Sequence, residues 1–390
     1  MIAALMLLLA VDSGTRRAPV PLEITPVDPD RDGPRFSGAR AIGVKRRNDE
    51  LRRKLDDAVA KRPPQIAALL VQYRVPSYRV YVSNEASDDV AVLENDEPVA
   101  RIAVGKRPRG LRFGPDGRLY VAVSGSPRAG PGMRDEDLPP PDRAQDGIAV
   151  VDLAHGNALT RLPGGPDPES FDLSRDGKLL FVSNEDASAL SVVEIATARI
   201  LATVKVGAQP EGVTVSPDGA LVYVTSEEDS EVDVVDAISW KLVARPKTAA
   251  RPRAVVFTPD GSRAFVSAEQ GAAVDVIDAR RHIRSGSVHI GGAGTKPMGL
   301  AMTRDGSRLF VSTGRGGSVA LIDVAAARLL RTFERIGARP WGLGLSPEGD
   351  KLYSANGPSN DVSVIDVGSG RVLKRVTVGK SPWGIAVSPR

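Results

Sequence analysis

Seven short segments of this chain hold a variable side chain between a proline and a small residue. They are Pro108-Arg109-Gly110, Pro168-Glu169-Ser170, Pro210-Glu211-Gly212, Pro252-Arg253-Ala254, Pro297-Met298-Gly299, Pro340-Trp341-Gly342 and Pro382-Trp383-Gly384. The flanking residues recur, so the backbone course recurs. The central residue does not: it runs Arg, Glu, Glu, Arg, Met, Trp, Trp. Glu169 or Glu211 can give or take a proton, and Arg109 or Arg253 can stabilise an oxyanion. Met298, Trp341 and Trp383 offer apolar and aromatic surface. Architecture alone would tolerate one residue type at all seven places, so the variation points to contact with a ligand or partner. The bland alternative is Arg–Glu pairing that closes a channel, with the tryptophans packing between repeats.

The elements that must hold these residues are short strands in a repeat. In Gly342–Asn356 an alternating run (Leu343, Leu345) meets the turn Pro347-Glu348-Gly349, and a second run (Leu352, Tyr353) ends in small polar residues. A third run, Asp361–Asp366, and a fourth, Val372–Val378, complete a four-stranded antiparallel unit. The turn recurs as Pro115-Asp116-Gly117, Arg175-Asp176-Gly177, Pro217-Asp218-Gly219, Pro259-Asp260-Gly261, Arg304-Asp305-Gly306 and Pro347-Glu348-Gly349, at spacings of 60, 42, 42, 45 and 43. The long spacing carries an insertion from Ser126 to Gln145. Proline presets φ at the first turn position and glycine accepts positive φ at the last, so these triplets are scaffold. The aspartates that close the third strands, among them Asp236, Asp278 and Asp366, read as turn caps.

A four-stranded unit at this period predicts an all-β, seven-bladed propeller over residues 78–390. The chain enters at a second strand (Tyr78–Glu85) and leaves at a first strand (Gly384–Ser388), so the two termini are expected to complete the seventh blade. First strands lie innermost. The Pro-X-Gly segments then ring one mouth of the central channel, and the loops between second and third strands open on the same face. Those loops add Asn184, Glu185, Glu227 and Asn356 as ligand- or partner-binding candidates beside the seven ring residues. Asn84, Glu85, Glu228, Glu269 and Arg315 fall there too, and the insertion adds Asp135, Glu136, Asp137 and Asp142. Acidic groups so gathered can hold a hard cation, but more often they solvate a rim. His155, His282 and His289 are not expected to converge, so neither a metal site nor a Ser–His–Asp arrangement is assigned.

Bulk composition narrows the classes further. The absence of cysteine excludes disulfides, thiolate metal sites, covalently attached c-type haem and cysteine nucleophiles. Residues 1–77 carry 14 Lys+Arg against 9 Asp+Glu, whereas residues 78–390 carry 38 against 39. The basic character thus belongs to the N-terminal part, and a nucleic-acid footprint on the repeat is not supported. Residues 1–14 open with a ten-residue apolar run, Met1–Ala10, that is too short to span a bilayer; a signal segment, a buried strand and a truncated start all remain open. Residues 15–77 read as a separate α-rich segment. One helix, capped at Asn48 or Asp49, carries Leu51, Leu55 and Val59, and a second carries Ile66, Leu69, Leu70 and Tyr73.

Two resemblances follow from particular residues. Val182-Ser183-Asn184, Val224-Thr225 and Val364-Ile365-Asp366 resemble the YVTN class of seven-bladed propellers. Gly165–Glu169, Val206–Gly212, Ser359–Asp366 and Val378–Gly384 are similar to the PQQ-dependent catabolism-associated beta-propeller family. Residues 16–76, with Arg17–Val27, Ala41–Arg46 and the ending Tyr73-Arg74-Val75-Pro76, resemble the C-terminal end of a periplasmic solute-binding protein that accompanies quinoprotein alcohol dehydrogenases. That family's ligand cleft is missing, so no ligand site is carried over. The resemblances imply a periplasmic protein encoded alongside PQQ-dependent (quinoprotein) alcohol oxidation.

The expectation from sequence is therefore a non-catalytic periplasmic binding or scaffold protein that uses the channel-mouth face. Its partners would be a small ligand, the quinoprotein dehydrogenase or its cytochrome, with no nucleic acid and no transmembrane segment. No cofactor is assigned; PQQ or a divalent or trivalent cation is the candidate its context raises. The alternative is a propeller enzyme, lactonase-like or quinone-handling, with a glutamate acid/base at the mouth.

Overall fold

Apolar runs that alternate in the sequence become strands stacked edge to edge in seven four-stranded antiparallel sheets. The computed structural model describes residues 4–7, 24–27, 78–128, 137–153, 155–292 and 294–388. The chain divides into two compact units, Met1–Ser77 and Tyr78–Arg390. In the first, Ala4–Leu7 pairs antiparallel with Ile24–Val27. The two helices expected between residues 48 and 75 lie outside the described residues, as do Asp135 and Glu136 of the insertion.

The second unit is the seven-bladed propeller. Inner strands are Leu111–Phe113 in blade 1, Pro168–Leu173 in blade 2, Pro210–Val215 in blade 3 and Pro252–Phe257 in blade 4. Those of blades 5, 6 and 7 are Leu300–Met302, Pro340–Leu345 and Pro382–Val387. Blade 7 is closed as expected, by the last strand pairing with Arg79–Asn84 in the register Val80↔Val387, Tyr81↔Ala386 and Val82↔Ile385. Two hydrogen bonds lock the seam: Arg79 N–H to Ser388 Oγ at 2.9 Å and Ser388 N–H to Arg79 O at 2.8 Å.

The core lies between blades. Each of seven apolar clusters draws on two adjacent blades; Tyr120 and Ile148 of blade 1, for example, meet Phe171 and Leu180 of blade 2. Second strands are therefore covered on both faces, and Leu180, Phe181 and Val182 are fully buried. Burying such a side chain contributes roughly 1.5–3 kcal/mol.

The Asp-Gly turns are the scaffold the sequence predicted. Gly177 has φ +68° and Gly219 +79°, which only glycine adopts freely. Asp176 Oδ1 accepts from Ser174 Oγ at 2.7 Å and from Lys178 N–H at 3.1 Å. These hydrogen bonds pull its carboxyl down to about 2. Asp236 and Asp366 cap the turns after third strands, each accepting from a serine N–H at 2.7 Å.

Candidate functional site at the channel mouth

The ring of variable residues is positioned by a fastening that repeats from blade to blade. The backbone carbonyls of five of the seven ring residues are held by a hydroxyl on the second strand of the preceding blade. Ser83 donates to Arg109 O at 2.6 Å, Ser183 to Glu211 O at 2.6 Å, and Thr225 to Arg253 O at 2.7 Å. Ser267 donates to Met298 O at 2.5 Å, and Ser312 to Trp341 O. At five of the seven positions glycine follows the ring residue, and there the next blade's carbonyl passes close. A Cβ on Gly212 would stand 2.4 Å from Arg253 O, and one on Gly342 2.4 Å from Trp383 O. The ring is therefore rigidly spaced, which suits a site that must hold geometry.

A second ring, missed from sequence, lies one residue before six of the seven prolines. Arg107, Asp167, Gln209, Arg251, Arg339 and Ser381 all have left-handed backbones, with φ from +44° to +61°. In this conformation Asp167 O accepts from Glu185 N–H at 3.0 Å, Gln209 O from Glu227 N–H at 3.1 Å, Arg251 O from Glu269 N–H at 2.8 Å, and Ser381 O from Glu85 N–H at 3.0 Å. Each such bond seats a loop glutamate beside the ring. The signal in the sequence was a charged residue recurring immediately before the proline.

The result is two ion clusters. In the first, Arg109 contacts Glu169, lies 3.1 Å from Glu85 and 3.8 Å from Glu185. Arg107 lies 3.3 Å from Glu85, 3.6 Å from Asp167 and 3.9 Å from Glu169. Arg128, from the insertion, reaches Glu85 at 3.3 Å. In the second, Arg253 contacts Glu227, lies 2.7 Å from Glu211 and 3.6 Å from Glu269. Arg251 sits 2.7 Å from Glu227 and 3.3 Å from Glu269. Burial opposes ionisation of Glu85, but Arg109, Arg128 and Arg107 outweigh it and hold its carboxyl below the usual range. Burial also penalises the charge on Arg109, yet Glu85, Glu211 and Glu185 keep it more firmly protonated than usual.

Glu185 behaves differently. Burial, reinforced by the nearby charge of Glu211, pushes its carboxyl up to about 7, with Asp167 adding to the effect and Arg109 and Arg107 opposing it. Its side chain is 26% exposed, whereas that of Glu169 is fully buried. Glu169 and Glu211, the acid/base candidates expected from sequence, are thus committed to Arg109 and Arg253, and the carboxyl poised between protonation states belongs to their neighbour.

Asn184 and Asn356 serve the blades themselves. Both are fully buried. Asn184 Nδ2 donates to Gly164 O at 2.5 Å and its Oδ1 accepts from Ser191 Oγ at 2.6 Å, while Asn356 Nδ2 donates to Asp361 at 2.6 Å and to Ser363 Oγ at 2.9 Å. On the opposite arc Met298 is buried, and Trp341 and Trp383 are half-buried with ring centroids 6.0 Å apart and planes 39° from parallel.

Asp167, Glu169 and Glu185 bring carboxylate oxygens within 4.8 Å of one another, a donor set a hard cation would accept. Arg107 and Arg109 already sit against these same carboxylates and supply the neutralising charge. An open depression of about 500 Å³ lies on the other face, lined by Phe113, Pro115, Asp172, Leu173 and Arg175. It gathers no comparable cluster of titratable groups. His155 pairs with Asp152 at 2.5 Å and His282 with Tyr223 at 3.0 Å, and neither meets the mouth clusters. Among the described residues no helix is long and apolar enough to cross a membrane.

A closed ring of seven four-stranded sheets with a charged and aromatic mouth defines a seven-bladed propeller of the repeat-built kind. The chain belongs to the YNCE-like beta-propeller family, whose profile matches residues 138–220 and 214–389. A search of curated proteins finds no match. Among solved structures, the Pseudomonas aeruginosa periplasmic gluconolactonase PpgL is 22% identical with a TM-score of 0.64, over 80% of this chain and 99% of that one. Hydrazine synthase from Kuenenia stuttgartiensis is 19% identical with a TM-score of 0.60, over 71% of this chain and 88% of that one. NirN, the dihydro-heme d1 dehydrogenase, is 14% identical with a TM-score of 0.56, over 79% of this chain and 74% of that one. At these identities the likeness establishes the fold.

The expectation of a non-catalytic binding or scaffold protein is corrected here. Several of the propellers that this chain superposes on carry enzyme names, a gluconolactonase and a hydrazine synthase among them. At the mouth, the partly exposed Glu185 carboxyl, raised to about 7, lies 3.8 Å from the Arg109 guanidinium.

Proposed function

We propose that this chain is a propeller enzyme of the lactonase type, which hydrolyses a cyclic ester at the channel mouth with Glu185 as acid/base. The observation that carries the reading is the Glu185 carboxyl itself, partly exposed, shifted to about 7 and 3.8 Å from Arg109. A base of this strength is half ionised at neutral pH, where proton transfer is most effective.

In the reaction, ionised Glu185 takes a proton from a water as the water oxygen bonds to the lactone carbonyl carbon. The carbonyl electron pair moves onto its oxygen, facing the Arg109 guanidinium. Collapse reforms the C=O bond and breaks the ring C–O bond. The departing alkoxide takes the proton back from Glu185, and the hydroxy acid formed releases one proton to solvent at neutral pH.

The sequence resemblance to PQQ-associated propellers supports placing this reaction in the periplasm, beside a quinoprotein dehydrogenase. Removal of two hydrogens from a cyclic hemiacetal yields a lactone, the substrate such a site would consume. The gluconolactonase among the similar structures is itself described as periplasmic.

The test is alkali uptake at constant pH with glucono-1,5-lactone and a panel of five- and six-membered lactones. The expected result is uptake above the spontaneous rate, with kcat/KM rising with pH to a plateau above about 7. Glu185→Gln should lower kcat/KM by about 10²–10⁴-fold. No catalysed uptake across the panel, or an unimpaired Glu185→Gln, would overturn the reading.

A further inference from the structure

The five arginines at the charged arc of the mouth, Arg107, Arg109, Arg128, Arg251 and Arg253, are each matched to carboxylates. Two arginines on the facing arc are not. Among the described residues neither Arg339 nor Arg315 makes an ion pair. Arg339 is half-buried on a left-handed backbone of φ +54°, and its guanidinium lies 4.6 Å from the centroid of the Trp341 ring. Its charge is felt across the mouth by groups on other blades: Arg315 of blade 5, Glu269 and Arg253 of blade 4, and Glu85 of blade 7. Arg315 stands exposed in the 3-10 turn Gly314–Gly316 between the second and third strands of blade 5.

Two neighbouring guanidiniums without a carboxylate are a costly arrangement for stability alone. Burial first, and the charge of Arg315 second, depress the basicity of Arg339. An oxyanion would relieve both effects, because a guanidinium binds carboxylate or phosphate through two parallel N–H donors. Beneath Arg339 lies the half-buried Trp341 ring, tilted against the half-buried ring of Trp383. That floor suits the C–H face of a saturated ring.

We infer that Arg339 and Arg315, above the Trp341–Trp383 floor, form a subsite for the oxyanion group of a ring-shaped substrate, a carboxylate or phosphate borne on a sugar-like ring. This deepens the lactonase reading and rests on it for the identity of the bound molecule as substrate. The reacting carbonyl would then point across the mouth to Glu185, and the anionic tail would remain on the tryptophan side.

Calorimetric titration of the full chain with D-glucuronate, D-glucose 6-phosphate and D-glucose, three six-membered rings that differ in the group at one end, tests the subsite without catalysis. The anions are expected to bind at least about tenfold more tightly than the neutral sugar, and the tighter of the two identifies the preferred oxyanion. Arg339→Gln should weaken both anions about tenfold, and Trp341→Leu should weaken all three ligands. Each variant is first matched to the wild type in its melting curve. Equal affinity for the three ligands, or an Arg339→Gln that binds anions as the wild type does, would overturn the subsite. Arg339-dependent anion binding without lactone turnover would sink the enzyme reading and leave the subsite standing. Lactone turnover without anion preference would do the reverse.

Discussion

Replacing Glu185 with glutamine should make the protein more stable at alkaline pH while removing its proposed activity. An ordinary glutamate titrates at 4.5, and in the folded protein burial beside Glu211 and Asp167 raises this one to about 7. The native state therefore favours the protonated carboxyl. That preference contributes stability in full below about pH 4.5 and is lost as pH rises through about 7. At 1.36 kcal/mol per pH unit, a shift of about 2.5 units corresponds to about 3 kcal/mol. A quarter of the side chain is open to water, and screening there brings the figure to about 1–2 kcal/mol. Glutamine has the shape of the protonated acid and does not titrate. The wild type should thus lose about 1–2 kcal/mol relative to Glu185→Gln between pH 5 and pH 8, read as the difference in urea midpoint between the two proteins at each pH. If that difference is the same at both pH values, Glu185 ionises normally, and the argument for it as the acid/base fails with it.

Three further outcomes follow from the scaffold that holds the mouth. Thr225→Val removes a buried hydroxyl that accepts from Gly212 N–H at 2.8 Å and donates to Arg253 O at 2.7 Å; it should cost about 1–3 kcal/mol in urea unfolding, with a larger effect on kcat than its distance from Glu185 suggests. Arg253→Met leaves Glu211 and Glu227 buried without their shared guanidinium, and a loss of about 3–5 kcal/mol in chemical denaturation is expected. A loss under 1 kcal/mol would mean the cluster is solvated. A chain ending at residue 381 lacks the inner strand of blade 7 and bares Val80 and Val82, so it should lose its single cooperative melting transition.

The propeller was legible because its signals are local. The Asp-Gly turns and alternating runs state the strand phase, and the chain's entry and exit in complementary strands state the closure. The Pro-X-Gly ring was legible for the same reason, since a constant frame around a varying residue marks a constant backbone. Arg107, Asp167, Arg251 and Arg339 escaped because a residue before proline reads as extended. Here it turns left-handed, where a loop amide some 18 residues onward takes its carbonyl, as Glu185 takes that of Asp167. Asn184 and Asn356 looked like site residues by position, yet the register of the third strand gives their amides to Ser191 and Asp361.

The ranking of the glutamates could not be read at all, and the reason is collective. Glu169 and Glu185 have the same side chain, and both lie near Arg109. Around Arg107, Arg109 and Arg128 gather Glu85, Asp167, Glu169 and Glu185, with Glu211 felt from the next blade. Carboxylates outnumber guanidiniums there, and burial makes the surplus negative charge expensive. The surplus is relieved where neutralisation costs least, at the member with the loosest ion pair and the most access to water to exchange a proton. Glu185, 3.8 Å from Arg109 and at the rim, is that member. A near-neutral carboxyl thus arises from the charge balance of four blades, and any substitution that removes Glu211's charge should lower Glu185 toward an ordinary glutamate. Glu211→Gln should accordingly move the lower limb of the kcat/KM profile to more acid pH, and an unmoved limb would show that burial alone sets the value.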